Sequence, residues 1–404
     1  MAVGLSEPRD ILAVPGIRLA TVYAGIRKAA RDDLVLVEIA KGGRVAAVFT
    51  RNRFCAAPVL LSEKHLSKKF PRYLLINAGN ANAGTGEEGL KRAERACAAL
   101  ARAAGCAVTE VLPFSTGVIG EHLPVEKIEQ VLPELLGKLD GASWMQAARG
   151  IMTTDTVAKA VSRKLKFGDS EIVITGIAKG AGMICPNMAT MLGFIATDAG
   201  IPLPMLDKMH KQAVQQSFNA ITIDGDTSTN DACLLMATGS SGVVLDKAGR
   251  DVRERFVQAL SEVYRLLAQA IVRDAEGATK FVTVCVRGGN SRTDCRKIAY
   301  AIAHSPLVKT ALYASDANWG RILAAAGRTG VELNPGKVSL SINGIVIFAK
   351  GAKSPAYTEE QGARAMSEPE IEIVLDLGPG SAAFTVWTSD LSHEYVSINA
   401  DYRS

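Results

Sequence analysis

The sequence lacks clustered charge of either sign. Its 46 basic and 41 acidic residues are interspersed over 404 positions, and no basic run alternates with aromatic residues. Proteins that bind nucleic acid need grouped cations to displace counterions from phosphates, so this composition does not favour a nucleic-acid partner. A net charge of +5 is compatible instead with small anionic substrates.

Long apolar runs and paired cysteines are also missing. No stretch approaches the length of a membrane span, and the apolar patches near the start are too short for a signal peptide. The seven cysteines are scattered without a C-x-x-C pair, a pattern typical of reduced thiols inside the cell. We therefore expect a soluble cytoplasmic protein with no membrane partner.

Several active-site motifs are absent as well. The five histidines form no H-E-x-x-H pair, so no zinc or other metal site is predicted. No G-x-S-x-G appears, although spacing alone leaves a Ser-His-Asp triad open, because triads assemble only in three dimensions. Asp224, Asp226 and Asp231 lack the calcium-loop pattern, which favours a polar scaffold over a cation site.

Residues 84–89 match the dinucleotide-binding pattern G-x-G-x-x-G. The preceding strand is predicted to end near Ile76, too early for that motif, and two glutamates would face the negatively charged pyrophosphate. Thr85 and Glu88 instead form a capping-box pattern at the start of a predicted helix over 87–104. No nucleotide cofactor is expected from this segment.

Strand and helix patterns are mixed along the rest of the chain. Two strands joined by Gly42 and Gly43 have the arrangement of a hairpin. The mixture favours a layered α/β fold, with mixed sheets flanked by helices, over a strictly alternating Rossmann pattern. The predicted strands are 34–40, 45–50, 73–76, 172–177, 193–197, 282–286, 338–342, 371–377 and 383–388, and further helices are predicted at 206–218 and 253–272.

The segment 179–191 has the most unusual composition. Gly180 and Gly182 permit backbone conformations and close approaches that other residues resist. Such a segment can strain one peptide bond, so that the Thr190 hydroxyl attacks the carbonyl of Ala189 and water then hydrolyses the ester. The freed threonine would carry its own base, the α-amine. The residues alone favour a second interpretation, a glycine- and proline-containing loop between two strands with Thr190 at the start of the second strand.

The sequence KGAGMICPNMATML at 179–192 resembles the cleavage-site signature of the ornithine acetyltransferase family. This family is also called bifunctional glutamate N-acetyltransferase/amino-acid acetyltransferase. Other blocks resemble the family in the same order over nearly the whole chain. They are FTRNRFCAAPV (49–59), NAGNANAGTGEEG (77–89), STGVIG (115–120), MTTDT (152–156), FNAITIDGDTSTND (218–231), RDAEGATKF (273–281), SDANWGR (315–321) and YVSINADYRS (395–404).

The resemblance implies a self-processing enzyme of arginine biosynthesis. Its fold would be related to self-cleaving amidohydrolases of the N-terminal-nucleophile type. Cleavage would produce an alpha chain, 1–189, and a beta chain, 190–404, assembled as two copies of each. In a ping-pong reaction the acetyl group would pass from N2-acetyl-L-ornithine through Thr190 to L-glutamate. No cofactor is implied, and use of acetyl-CoA as a second donor stays open.

The resemblance also assigns roles to single residues. Thr190 is the expected nucleophile, and Thr116 and Gly117 match the oxyanion-hole pair. By charge complementarity we assign Lys179 to the substrate carboxylate and Glu276 to the ornithine ammonium. The expected substrate-binding residues are Thr153, Lys179, Thr190, Glu276, Asn399 and Ser404.

Two other functional classes stay open from the sequence. The first is an N-terminal-nucleophile amidase or aminopeptidase, in which water accepts the acyl group. The second is a non-catalytic binding protein with an uncut chain. Separately, the residues alone leave Glu276 open as a solvated turn residue after a helix, and Asn399 and Ser404 as part of a frayed tail. Dependence on glutamate separates the first from an acetyltransferase, and the presence of cleavage separates the second.

Overall fold

The computed structural model describes residues 2–27, 31–185 and 191–401. Within these ranges the strands are β1 (Ile17–Val22), β2 (Leu34–Ile39), β3 (Arg44–Phe49), β4 (Tyr73–Asn80), β5 (Val111–Val118), β6 (Lys159–Phe167), β7 (Ser170–Lys179), β8 (Leu192–Thr197), β9 (Ala232–Ala237), β10 (Phe281–Gly289), β11 (Ser339–Ile342), β12 (Ile345–Ala349), β13 (Ala352–Lys353), β14 (Glu370–Asp376) and β15 (Ala382–Ser389). The helices are α1 (Ala57–Leu66), α2 (Gly86–Ala104), α3 (Val125–Gly137), α4 (Trp144–Gly150), α5 (Leu203–Gln215), α6 (Arg250–Arg273), α7 (Arg292–Ala303), α8 (Pro306–Tyr313), α9 (Trp319–Gly327), α10 (Glu359–Ser367) and α11 (His393–Ala400).

The described strands form three mixed sheets. Their orders are β1-β2-β4-β5, β3-β9-β8-β7-β6 and β13-β12-β11-β14-β10-β15. Each sheet contains both parallel and antiparallel neighbours, such as β4 and β5 in parallel and β2 and β4 antiparallel. The predicted α/β fold with mixed sheets flanked by helices is therefore confirmed.

Side-chain alternation in the central strands shows how the first two sheets stack. In β2, Leu34 and Leu36 pack with helices α2 and α3, whereas Val35 and Val37 pack with residues of the second sheet. In β8, Phe194 faces the first sheet, and the opposite face of the second sheet packs on α5 and α6. Successive strand residues point to opposite faces of a sheet. In these strands both sets of residues are apolar, because each sheet is covered on both faces. The result is four layers, in the order helix, sheet, sheet, helix.

The predicted hairpin around Gly42 and Gly43 is wrong. Both strands exist, but β2 pairs with β1 and β4, whereas β3 pairs with β9 in the other sheet. Since both edges of β2 already have partners, β3 has no edge of β2 to join. The two glycines instead carry the chain from one sheet layer to the next.

The start of α2 also departs from the prediction. The helix ends, as expected, at Gly105, whose φ is +64°, but the capping box at its start does not form. Thr85 has a φ of −110° and a ψ of 3°, so its hydroxyl donates to Asn82 Oδ1 at 3.1 Å instead of accepting from the helix. Glu88 pairs with Arg92 at 2.8 Å. The strand before this helix, β4, continues to Asn80 and is longer than predicted.

The second sheet combines strands from both sides of the predicted cleavage position. β3, β6 and β7 precede residue 189, whereas β8 and β9 follow residue 190. β7 and β8 pair antiparallel from Ile174 with Thr197 to Lys179 with Leu192. Strand pairing would therefore continue to join the two parts if the chain were cut between these strands.

The third sheet packs against α7 to α10 and has its own apolar core. Strand β15 of this sheet also contacts α6, which joins this part to the four layers. Across residues 2–27, 31–185 and 191–401, no helix combines the length and the apolar character needed to cross a membrane.

Candidate active site

A cavity of about 260 Å³ brings six of the predicted site residues together. It lies where β5, β7 and the segment after α6 meet. Met191, which follows Thr190 in the sequence, also lines it. Ala189, Thr190 and Ser404 lie outside the described residues. The predicted residues that line the cavity are Thr116, Gly117, Thr153, Lys179, Glu276 and Asn399.

The backbone at Gly117 approaches a neighbouring strand too closely for any side chain. Its φ is +133°, and a Cβ atom there would lie 2.3 Å from the carbonyl carbon of Gly79. This contact occurs where the parallel register of β4 and β5 shifts at Gly79 and Asn80. Glycine is needed at 117 because both this left-handed conformation and this approach exclude a side chain. This close contact between β4 and β5 fixes the adjoining Thr116 at the cavity wall.

A set of buried amides supports the same part of β5, and the sequence patterns did not predict it. Ser115 Oγ donates to Asn77 Oδ1 at 2.6 Å, and Asn77 Nδ2 donates to the carbonyl of Asn80 at 2.8 Å. Asn230 Nδ2 donates to the carbonyl of Ser115 at 2.9 Å. Buried amides with satisfied hydrogen bonds rigidify the backbone around them. The repeated asparagines of NAGNAN were the available signal.

Lys179 lies at the end of β7 and extends into the cavity. Its Nζ donates to Thr116 Oγ1 at 3.2 Å. Burial lowers the pKa of Lys179 from its ordinary value, and this effect exceeds the opposing effect of the nearby carboxylates, of which Asp155 is the strongest. The Thr116 hydroxyl oxygen accepts the hydrogen bond from Lys179, so the hydroxyl hydrogen of Thr116 is available to donate to another acceptor.

A buried ion network lies directly behind Lys179. Asp155 Oδ1 accepts from Lys159 Nζ at 2.7 Å and from the Gly180 backbone N–H at 2.7 Å. Asp274 Oδ2 also accepts from Lys159 Nζ, at 2.6 Å. Burial disfavours the charged form of Asp155, yet the Lys159 and Lys179 ammoniums hold the pKa of its carboxyl well below the usual range. The network is therefore charged and is anchored next to the cavity.

Glu276 is held in place by both backbone and side-chain contacts. Its N–H donates to the Ala181 carbonyl at 2.9 Å, and its Oε2 accepts from Asn399 Nδ2 at 2.8 Å. A Cβ atom on Gly182 would lie 2.4 Å from the same Oε2. Glycine at 182 thus leaves room for the carboxylate, which faces the cavity.

Helix α11, which carries Asn399, is docked on the segment after α6. Ser392 Oγ donates to the Gly277 carbonyl at 2.6 Å, and the Tyr395 hydroxyl donates to Asp224 Oδ2 at 3.3 Å. Over its described residues this end of the chain is a helix held by hydrogen bonds and not a frayed tail.

The segment that precedes the predicted cleavage position is held by Asp224. This carboxylate accepts from the backbone N–H groups of Met183 and Ile184 at 2.6 and 2.9 Å. It therefore acts as a polar scaffold, the interpretation favoured from sequence. Among the residues that the structure describes, no three His, Cys, Asp or Glu side chains are grouped to hold a metal ion.

His304 is a second support of this segment that the sequence did not reveal. Thr222 Oγ1 donates to the Ile184 carbonyl at 3.0 Å and lies 2.9 Å from His304 Nε2. Cys185 Sγ lies 3.4 Å from the same nitrogen. Burial lowers the pKa of His304, so the neutral imidazole is favoured.

Comparison with known proteins decides the family. A family profile described as the ArgJ family matches residues 18–404. The chain belongs to the ArgJ family. It is 52% identical to the arginine biosynthesis bifunctional protein ArgJ of Pseudomonas syringae pv. tomato, over 406 residues that cover 100% of each chain. It is 53% identical, over 407 residues and again 100% of each chain, to the protein of the same description from Psychrobacter arcticus.

A crystal structure of the arginine biosynthesis bifunctional protein ArgJ from Bacillus halodurans has a similar fold. The two share 38% sequence identity with a TM-score of 0.50, and the match covers 53% of this chain and 100% of that chain. The family identified from sequence motifs is thus confirmed. The roles assigned to individual cavity residues stay predictions.

Proposed function

We propose that this ArgJ-family chain is a self-processing acetyltransferase of arginine biosynthesis. It moves the acetyl group from N2-acetyl-L-ornithine to L-glutamate through an acetyl-Thr190 intermediate. The observation that carries the proposal is one cavity lined by Lys179, Glu276, the Thr116–Gly117 pair of β5 and Met191, the residue after the expected nucleophile. A cation, an anion and a pair of oxyanion donors around one small space match an amino-acid substrate with an acyl group.

The cleavage step makes and breaks bonds at one peptide. The Thr190 hydroxyl attacks the Ala189 carbonyl, the C–N bond breaks as an ester forms, and water releases chains 1–189 and 190–404. The shared second sheet would hold the two products together, and we expect two copies of each in the assembly.

The transfer reaction then uses the new N-terminus. The α-amine of Thr190 accepts the hydroxyl proton while the oxygen attacks the acetyl carbonyl. The Gly117 N–H and the Thr116 hydroxyl donate to the developing oxyanion, and the Lys179 contact to Thr116 orients that hydroxyl. Ornithine leaves with a proton from the amine. The amino nitrogen of glutamate then attacks the acetyl ester, the ester C–O bond to Thr190 breaks, and the α-amine passes the proton from the glutamate nitrogen to the Thr190 oxygen.

Intact-mass spectrometry of the purified protein tests this function. We expect two polypeptides, and the one that begins TMLGF should gain an acetyl group with N-acetylornithine and lose it when glutamate is added. A single chain that never gains an acetyl group would contradict the proposal. Cleavage followed by release of acetate in water, without dependence on glutamate, would favour the amidase.

The word bifunctional in the names of the relatives supports a second donor. We propose that acetyl-CoA also acetylates Thr190 as a co-substrate. The same measurement applies: acetyl-CoA alone should add one acetyl group to the chain that begins TMLGF, and glutamate should remove it. An unchanged mass would mean that acetyl-CoA is not a donor and that the acetyl group comes from N-acetylornithine.

The change Glu276→Gln is expected to weaken use of N-acetylornithine more than use of glutamate. The amide oxygen still accepts from Asn399, so the local structure is kept, while the negative charge that pairs with the ornithine ammonium is lost. Hydrogen bonds between charged groups contribute about 1.5–3 kcal/mol, so kcat/KM for N-acetylornithine should fall by about 10- to 150-fold. The two half-reactions are measured separately by mass spectrometry. Glu332→Gln, at an exposed position, is the control, and equal losses with both substrates would contradict the assignment.

A further inference from the structure

Two buried carboxylates share one buried ammonium behind the cavity. Lys159 Nζ lies 2.7 Å from Asp155 Oδ1 and 2.6 Å from Asp274 Oδ2, and the three side chains have between 0% and 1% of their surface exposed. Two negative charges against one positive charge leave an excess negative charge in this group. A buried excess charge needs a further partner, because burial penalises an uncompensated ion strongly.

The two carboxylates differ in the backbone that they hold. Asp155 accepts from the N–H of Thr153 at 2.9 Å and from the N–H of Gly180 at 2.7 Å. These two segments carry predicted substrate-binding residues. Asp274 accepts instead from the N–H of Thr156 at 2.9 Å, which does not line the cavity. Of the two carboxylates, Asp155 is therefore the one that accepts from backbone N–H groups of residues lining the cavity, Thr153 and Gly180.

We propose that Asp155 is a positioning residue of the acetyl-transfer site. Its carboxylate holds the backbone of Thr153 and of Gly180 together and places a negative charge beside the Lys179 ammonium, which is the further partner of the network. This inference rests on the proposed function, because it concerns the same cavity and the same reaction. Asp155 lies in the block MTTDT (152–156), but the family resemblance assigned no role to it.

The charges around Lys179 favour this role. Burial lowers the pKa of the lysine, and the Asp155 carboxylate opposes that effect more than any other group. Without the carboxylate the ammonium would lose its proton at lower pH. The charged groups that act on Lys179 are Asp155, Lys159, Asp231 and Glu276, and Arg31 is a further cation that acts on Asp155.

Asp155→Asn and Asp274→Asn form a matched pair of variants for the test. Each change leaves Lys159 with one carboxylate, so each retains a neutral buried ion pair, and circular dichroism checks that both variants fold. The pH dependence of acetyl transfer from N-acetylornithine to glutamate is then measured. In Asp155→Asn we expect kcat/KM to fall by about 10- to 100-fold and the alkaline limb of the profile to move to lower pH. In Asp274→Asn the alkaline limb should stay where it is in the unchanged enzyme.

The inference would be overturned if the Asp155→Asn enzyme kept the unchanged pH profile. It would also be overturned if the alkaline limb moved by the same amount in Asp155→Asn and in Asp274→Asn. If Asp155→Asn does not fold, Asp155→Glu replaces it. That variant keeps the charge but displaces the carboxylate, so kcat should fall while the alkaline limb is retained, and an unchanged kcat would overturn the inference. Failure of the proposed function is distinct, because the unchanged enzyme would then transfer no acetyl group at any pH.

Discussion

Thr190→Ala is expected to leave the chain as one polypeptide and to lower acetyl transfer by about 10⁴-fold or more. The proposed function uses the Thr190 hydroxyl twice, first against the Ala189 carbonyl and then against the acetyl group. Alanine lacks that hydroxyl, and an uncut chain lacks the free α-amine that serves as the base. Both steps should therefore be lost together.

Intact mass and the rate of glutamate acetylation measure this result. Thr190→Ser is the control, since it keeps a hydroxyl and should still be cut and acetylated, although with altered rates. Circular dichroism of the alanine variant should match the unchanged protein. An alanine variant that is cut at the same bond, or that transfers acetyl groups at the unchanged rate, would rule out the self-processing mechanism.

Gly117→Ala is expected to reduce kcat by about 100- to 1000-fold, the effect of losing one oxyanion donor. The added Cβ would lie 2.3 Å from the carbonyl carbon of Gly79 and 2.6 Å from the backbone nitrogen of Asn80. These are backbone atoms that no side-chain rotation can clear, so the end of β5 must move away from β4. That movement displaces the N–H that we assign to the oxyanion.

The variant Gly120→Ala distinguishes the effect of backbone strain at positive φ from the effect of displacing the Gly117 N–H. Gly120 also has a positive φ, +88°, but a Cβ there meets nothing within 4 Å. Both variants should lose some thermal stability, because an L side chain is strained at positive φ. Only Gly117→Ala should slow acetylation of Thr190 in a single turnover. Equal slowing in both would mean that strain in this segment, and not donor position, controls the rate.

Part of the site could be predicted because the family motifs are local in sequence. Thr116, Gly117, Thr153, Lys179, Glu276 and Asn399 were named from short motifs, and all six line one cavity. The ion network was not predictable, because Asp155 and Asp274 lie far apart in the chain and share Lys159 only after folding. Nothing local marks an aspartate as buried.

The errors in the fold prediction also arise because the outcome depends on contacts that are not local in sequence. The strands around Gly42 and Gly43 were located correctly from their apolar composition, but their pairing was not. A glycine turn between two strands is compatible with a hairpin and with a crossover between layers, and the choice depends on which strand edges are already occupied. At Thr85 the capping box does not form, because the Thr85 hydroxyl donates to Asn82 instead. The position of Asn82 depends on the turn that precedes the helix.

From the amino-acid sequence we could predict the family, the α/β class and the residue types available for acyl transfer. Nine of the fifteen described strands and three of the eleven described α-helices could also be predicted. These follow from local composition and from motifs that stay together along the chain. Only the folded structure shows which strands pair, that β7 and β8 join the two sides of the predicted cleavage position, and that Asp155 holds backbone N–H groups of the cavity wall. The physical reason is that strand pairing, burial and charge compensation depend on neighbours distant in sequence, which only the folded chain brings into contact.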